Sequence, residues 1–410
     1  MDDCPDDTSY PFQAGRAGPE VRGDVWFGYD PDGAGGLELD FESRVEAMFG
    51  ASTRAFLLDL AREAGLERGR LAVRDRGAVP WVLRARFEAL ARRALDRSDL
   101  LLAPEVWGPF PVPRRERPRR SRLYLPGNEP KYMHNAALHH PDGVILDLED
   151  SVAPAAKAEA RSLVRHALHS VDWKDCERMV RINQGALGEA DLRSLAGSPV
   201  DLVLLPKVEG PEEVAAAEAL LQEAFPEREV LLMPILETAR GVLHAEEIAA
   251  ASPRCVALTL GLEDLTADLG VVKTREGRET LWARSRVVFA ARAFGLQAID
   301  SVYGDVEDEE GLRASCRESR ALGFEGKGCV HPRQIRVVHE EFAPSPQEVE
   351  RALRIQEAFE AARARGEAVV SLGSRMIDPP VVKRALQTVQ AAREAGLLPP
   401  GAGRREGGQA

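Results

Sequence analysis

From residue 121 onward, short apolar runs alternate with helix-length amphipathic segments: RLYLP, GVILDLED, MVRIN, DLVLLPKV, VLLMPILE, CVALTLGLED, QAIDSVYG and GKGCVHP. Eight strands, each followed by a helix, predict a parallel barrel, an α/β fold of the TIM (β/α)8 kind, over residues 121–345. The competing arrangement, an open doubly wound sheet, lacks its usual glycine-rich turn after the first strand. Upstream, GDVWFGYD and GGLELDFES alternate apolar and polar residues around DPDGAGG, a pattern that predicts a β-hairpin. VEAMFGASTRAFLLDLAREAG and WVLRARFEALARRAL have helical spacing, and RGRLAVRDRG returns to strand alternation. Residues 23–102 therefore read as a small α+β domain.

Between the two units, APEVWGPFPVPRRERPRR (103–120) is broken by prolines, so it reads as a linker whose arginines prefer water. Residues 1–22 and 401–410 read as loose tails, and 346–400 as a C-terminal helical lid. Hydrophobic and charged shares of 44% and 29% are those of a folded globular chain. A net charge of -12 argues against nucleic acid or an anionic membrane as partner, and the acidic start argues against a signal peptide, which together point to the cytoplasm. Five scattered cysteines without a CxxC pair give neither a zinc site nor a disulfide framework.

The candidate chemistry lies where the strands end. Asp147 and Glu149 close the second barrel strand, Arg181 the third, Lys207 the fourth, Glu237 the fifth and Asp264 the sixth. Carboxylates converging on one mouth require pairing or a cation, and an all-oxygen set favours magnesium or manganese. Glu237 and Asp264, on adjacent strand ends, are the expected metal ligands. Arg181 offers a planar fork for a substrate carboxylate, and Arg122 could do the same or stabilise the barrel floor.

SRLYLPGNEPKYMHNA, GVILDLEDSVAPAAKAEAR, VRINQ, LLPKVEG, ILETARGV, LGLEDLTADLG, GFEGKGCVHPRQI and GSRMIDPPVVKRA resemble the HpcH/HpaI aldolase and citrate lyase beta-subunit family. The resemblance implies a Mg2+-dependent lyase that cleaves a 3-hydroxy acyl-CoA thioester, of the citramalyl-CoA or malyl-CoA type, into acetyl-CoA and a 2-oxo acid. It implies metal ligation by Glu237 and Asp264, with Asp147 and Glu149 beside the metal through waters. It implies a substrate grip by Arg181, with Lys207 on the acyl-carrier side. It also implies that Asp378, in a lid from a neighbouring subunit of a homo-oligomer (a trimer or a multiple), handles the proton at carbon. Asp378 could equally be an N-cap before VVKRALQTV.

The upstream unit resembles the citrate lyase acyl-carrier (gamma) subunit through GGLELDFES, the DRGA turn and RARFEALARRA. Matching AGPEVRGDV to that family places Arg22 where its prosthetic-group serine stands, and an arginine cannot accept a phosphodiester. The resemblance with this departure implies free acyl-CoA as substrate. A citrate lyase beta-type subunit acting on a carrier thioester, and a non-catalytic scaffold for other lyase subunits, are the alternatives.

Overall fold

The computed structural model describes residues 9–32, 35–364, 370–372 and 375–398. The front unit is a four-stranded sheet, β1 (Phe12–Gly15), β2 (Val25–Asp30), β3 (Leu37–Ser43) and β4 (Gly69–Asp75), in the order β1-β2-β4-β3. Helices α1 (Glu46–Ala64) and α2 (Pro80–Ala94) complete it. The expected hairpin does not form. β2 pairs antiparallel with β4, while β3 pairs parallel with β4 through the α1 crossover. The reason is burial: β4 hides Leu71, Ala72 and Val73 completely and takes the centre, whereas β3 is half exposed and suits an edge.

The expected N-terminal tail also needs correction. Phe12–Gly15 is an edge strand on β2, and Tyr10 packs edge-on against Trp26 at 5.7 Å. The alternation Tyr10, Phe12, Ala14 was a readable signal, too short to stand out beside the flanking Pro, Gly and Asp. Residues 1–8 and 399–410 lie outside the described residues.

The eight expected barrel strands are all present and parallel: β5 (Ser121–Pro126), β6 (Gly143–Asp147), β7 (Glu177–Arg181), β8 (Leu202–Leu205), β9 (Leu231–Leu236), β10 (Ala257–Leu260), β11 (Gln297–Asp300) and β12 (Gly326–Cys329). They close as a barrel, with β12 pairing back onto β5. Ile145, Met179, Leu204, Met233, Ile235 and Ile299 fill its interior. The outer faces join the surrounding helices in the main core. No helix among the described residues is long and apolar enough to cross a membrane.

The stretch 103–120 is largely exposed as far as Glu116, but its arginines anchor it to the barrel. Arg119 is fully buried and holds Glu177 through two 2.8 Å bonds, while Arg117 and Arg115 donate to carbonyls of Asp142, Asp175 and Pro253 at the barrel floor. Strand N-termini expose free carbonyls there, and arginine satisfies several at once. The C-terminal helices Pro346–Ala364 and Pro379–Glu394 pack on each other. Lys383, Gln387 and Glu394 of the second line a groove with Arg115, Arg120 and Gln297, again at the floor. The pair expected as a lid thus lies at the end of the barrel opposite the mouth of its own chain.

The front unit is fixed to the barrel through α2. One face of α2 gives Phe87 and Leu90 to the front core, and another gives Trp81, Val82 and Ala85 to the barrel core. Between them Glu88, fully buried, accepts from Arg165, Ser162 Oγ (2.8 Å) and Leu102 N (2.9 Å), with His166 Nε2 at 3.2 Å. Arg86 forms a second node, bidentate to Asp24 and 2.8 Å from Glu159. Burial alone would raise the Glu88 carboxyl; the His166 hydrogen bond and the charges of Arg165 and Arg92 overcome it and bring it down to about 2.

Glu88→Ala should therefore cost about 3–5 kcal/mol, because Arg165 is left buried without its counter-charge. Because the folded carboxyl is depressed, the contribution of Glu88 is complete above its ordinary value of 4.5 and fades as pH falls toward about 2. Urea unfolding of wild type and Glu88→Gln across that window should converge at the acid end; parallel curves would contradict the assignment.

Candidate active site

The parallel register sets Asp147, the last residue of β6, directly beside Arg181, the last of β7. Arg181 Nε and Nη2 reach the two Asp147 oxygens at 2.7 Å each, and Nη1 lies 2.9 Å from Glu149. The guanidinium also stands over the Tyr124 ring, 5.3 Å from its centroid. Asp147 further accepts from the amides of Glu149 and Ser151. Its oxygens are occupied, so its observed task is to orient Arg181. A guanidinium carries five N–H donors, and those not spent on Asp147 and Glu149 are left for a bound acid.

Lys207 follows β8 with φ +50°, an uncommon conformation for a side-chain-bearing residue. That geometry turns its backbone N–H onto Glu237 Oε1 at 2.8 Å, while Nζ reaches Glu149 at 3.2 Å. Lys207 thus serves the site twice, and only the side chain was legible in advance. The Glu149 carboxyl, shared between Arg181 and Lys207, is still raised by burial.

Glu237 follows β9 and is 2% exposed. Its other oxygen, Oε2, faces Gly261, where a Cβ would lie only 2.2 Å away. Only a residue without a side chain lets the carboxylate pack there, against the start of the helix Leu262–Asp268 that carries Asp264. Burial, with added repulsion from Asp264 and Glu149, pushes the Glu237 carboxyl up to about 8. Such a group gains most from a cation held beside it.

Six of the expected residues thus share one mouth: Asp147, Glu149, Arg181, Lys207, Glu237 and Asp264. Two do not. Arg122 is buried inside the barrel, below Tyr124, with donors to Met233 Sδ (3.0 Å) and Thr259 Oγ1 (3.2 Å). It belongs to the interior, because β5 places residues 122 and 124 on the same inward face. Asp378 is exposed at the N-cap position of Pro379–Glu394, makes no side-chain cap bond, and touches none of the mouth residues.

The mouth suits a hard divalent cation. Its free donors are carboxylate oxygens, Glu237 lacks a counter-charge of its own, and Asp264 stands close enough to repel it. Among the described residues no group of three or more His, Cys, Asp or Glu side chains forms a closed metal cage. Magnesium does not need one, since it keeps waters and is commonly held by one or two carboxylates plus substrate oxygens.

Residues 120–332 match the family model described as HpcH/HpaI aldolase/citrate lyase. Residues 14–94 match the ACP model described as malonate decarboxylase delta subunit (MdcD), which agrees with the carrier-like reading of the front unit. The chain is 38% identical over 282 residues to citrate lyase subunit beta of Haemophilus influenzae, covering 67% of this chain and 97% of that one. It is 38% identical over 291 residues to mitochondrial citramalyl-CoA lyase of Mus musculus, covering 67% and 86%. The structure of CitE from Mycobacterium tuberculosis in complex with magnesium, acetoacetate and coenzyme A superposes with a TM-score of 0.56 at 35% identity, covering 68% of this chain and 98% of that one. The chain belongs to the HpcH/HpaI aldolase/citrate lyase family and is a carbon–carbon lyase.

Proposed function

We propose that the chain cleaves a 3-hydroxy acyl-CoA thioester of the citramalyl-CoA or malyl-CoA type, with Mg2+, into acetyl-CoA and a 2-oxo acid. The observation that carries this reading is the buried Glu237 carboxylate, seated against Gly261 and repelled by Asp264, in the same mouth as the oriented guanidinium of Arg181. Glu237 and Asp264 would hold the magnesium ion, which when bound supplies positive charge against the hydroxyl and carboxylate oxygens of the substrate. Arg181, pinned by Asp147, orients the substrate carboxylate. Lys207 fixes Glu149 and Glu237 through its two ends and adds positive charge to the rim. Cleavage of the carbon–carbon bond takes a proton from the 3-hydroxyl and returns one to the methyl carbon of the departing acetyl thioester. We assign that carbon-bound proton to Asp378 of a second copy of the chain, since the first copy's Asp378 lies outside its own mouth.

A carrier-bound thioester is the second reading, favoured by the match of residues 14–94 to an acyl-carrier model. Two features weigh against it: α2 is buried in both cores, and Arg22 stands where the arm would be attached. A covalent phosphoribosyl-dephospho-CoA adduct in the intact mass would reverse that ranking.

Purified protein with magnesium should release acetyl-CoA from citramalyl-CoA or malyl-CoA, and a chelator should abolish turnover. Glu237→Gln and Asp264→Asn should each lose more than about a hundredfold in kcat/KM while remaining folded. Full activity in either variant, or in the presence of chelator, would remove the metal from the reading.

Asp378→Ala and Glu237→Ala should each be inactive alone. After subunit exchange the mixture should regain part of the wild-type rate, measured as acetyl-CoA release. An exchanged but inactive mixture would place Asp378 outside the chemistry.

A further inference from the structure

The front unit reaches the mouth through one barrel loop. Its β1–β2 turn, residues 16–24, sits on barrel residues 127–131. Arg16 binds Glu129 at 2.6 Å, and Arg16 and Arg86 both donate to the Asn128 carbonyl, at 3.1 and 3.2 Å. Gly127 N–H in turn donates to the carbonyl of Asp147 at 2.8 Å. Asp147 is the residue that holds Arg181. Three residues lie between Gly127 and Lys131, a span of at most about 14 Å. The turn therefore belongs to the rim of the entrance.

The turn is built to hold one shape. Gly23 has φ +65°, and its N–H donates to Arg76 O at 2.9 Å. Arg44 spends its fork on the carbonyls of Pro19 and Val21. A Cβ on Gly23 would lie 3.9 Å from the Lys131 Cβ, so the turn that carries Arg22 packs against the backbone of the loop that carries Lys131. The acids nearby are largely spoken for: Asp24 by Arg86 and Arg16, and Glu129 by Arg16, with Lys131 Nζ only 3.7 Å from it. Exposed Glu20 is the acid left in the turn. Arg22 is exposed and bonds to no carboxylate or carbonyl among the described residues.

Its charge matters because of the mouth beyond the loop that its turn packs on. The mouth holds Asp147, Glu149, Asp150, Glu237 and Asp264 against Arg181 and Lys207, in a chain of net charge -12. A coenzyme A thioester brings phosphates of its own. Those phosphates are repelled by the mouth and need a fixed cation just outside it. We propose that the front unit is a fixed wall of the substrate entrance and that Arg22, on the turn packed against the Lys131 loop, binds phosphate groups of a coenzyme A thioester. This rests on the acyl-CoA lyase reading above and adds to it a specificity-determining residue from outside the barrel.

Calorimetric titration of the full-length, magnesium-loaded protein with CoA and with pantetheine, which lacks the nucleotide phosphates, tests it. Arg22→Glu should weaken CoA about tenfold or more and shift pantetheine less than about twofold, and Arg22→Lys should restore most of the CoA affinity. Added salt should narrow the gap between wild type and Arg22→Glu. Unchanged CoA affinity in Arg22→Glu, or equal losses for both ligands, would overturn the role of Arg22 alone. Wild-type protein that does not bind CoA would overturn the acyl-CoA reading as well and favour the carrier-bound thioester.

Discussion

The pairing of Asp147 with Arg181 organises the mouth. Parallel register places the two side by side at the ends of β6 and β7, and two 2.7 Å bonds lock the guanidinium in a plane. This pair has a consequence for every other charge nearby. With Asp147 neutralised and Glu149 divided between Arg181 and Lys207, Glu237 and Asp264 remain without a basic partner of their own. For the buried Glu237 this placement disfavours the charged form, a pattern that marks candidate functional groups. The same pair ties the mouth to its surroundings, since the Asp147 carbonyl receives the amide of Gly127 from the loop that supports the front unit.

That coupling bears on what a carrier-like unit can do here. A carrier that shuttles between sites needs a surface it can leave at small cost. α2 instead contributes to two cores at once and buries Glu88 and Arg86 against Arg165, His166 and Glu159. Undocking would expose apolar side chains and strip buried charges of their partners, each a matter of several kcal/mol. The unit is an architectural part of the lyase.

The barrel was legible because each strand is a short apolar run with a helix behind it, and the site because charges at strand ends are out of place in such runs. Glu237 and Asp264 stood out for that reason. What the sequence left open depends on neighbours distant along the chain. β2 and β3 looked like a hairpin, but β4 separates them. Arg119 looked solvated, but Glu177 lies 58 residues away in sequence and 2.8 Å away in space. Arg122 stood open between a substrate grip and the barrel floor until the inward face of β5 placed it in the core, while Asp147 fixes Arg181 at the mouth. Lys207 acts partly through its backbone, which no residue pattern reveals.

The same geometry limits how Asp378 could act. Barrel strands of four to six residues are roughly 13–20 Å long, and the helix Pro379–Glu394 packs at the strand N-termini while the carboxylates stand at the C-termini. A side chain cannot cross a packed barrel. An arrangement in which Asp378 serves the chemistry therefore requires a second copy whose C-terminal segment passes over the first copy's mouth. Exposure of Asp378 without a cap bond suits that arrangement better than a purely local role, since a structural N-cap would bond the amides of its own helix.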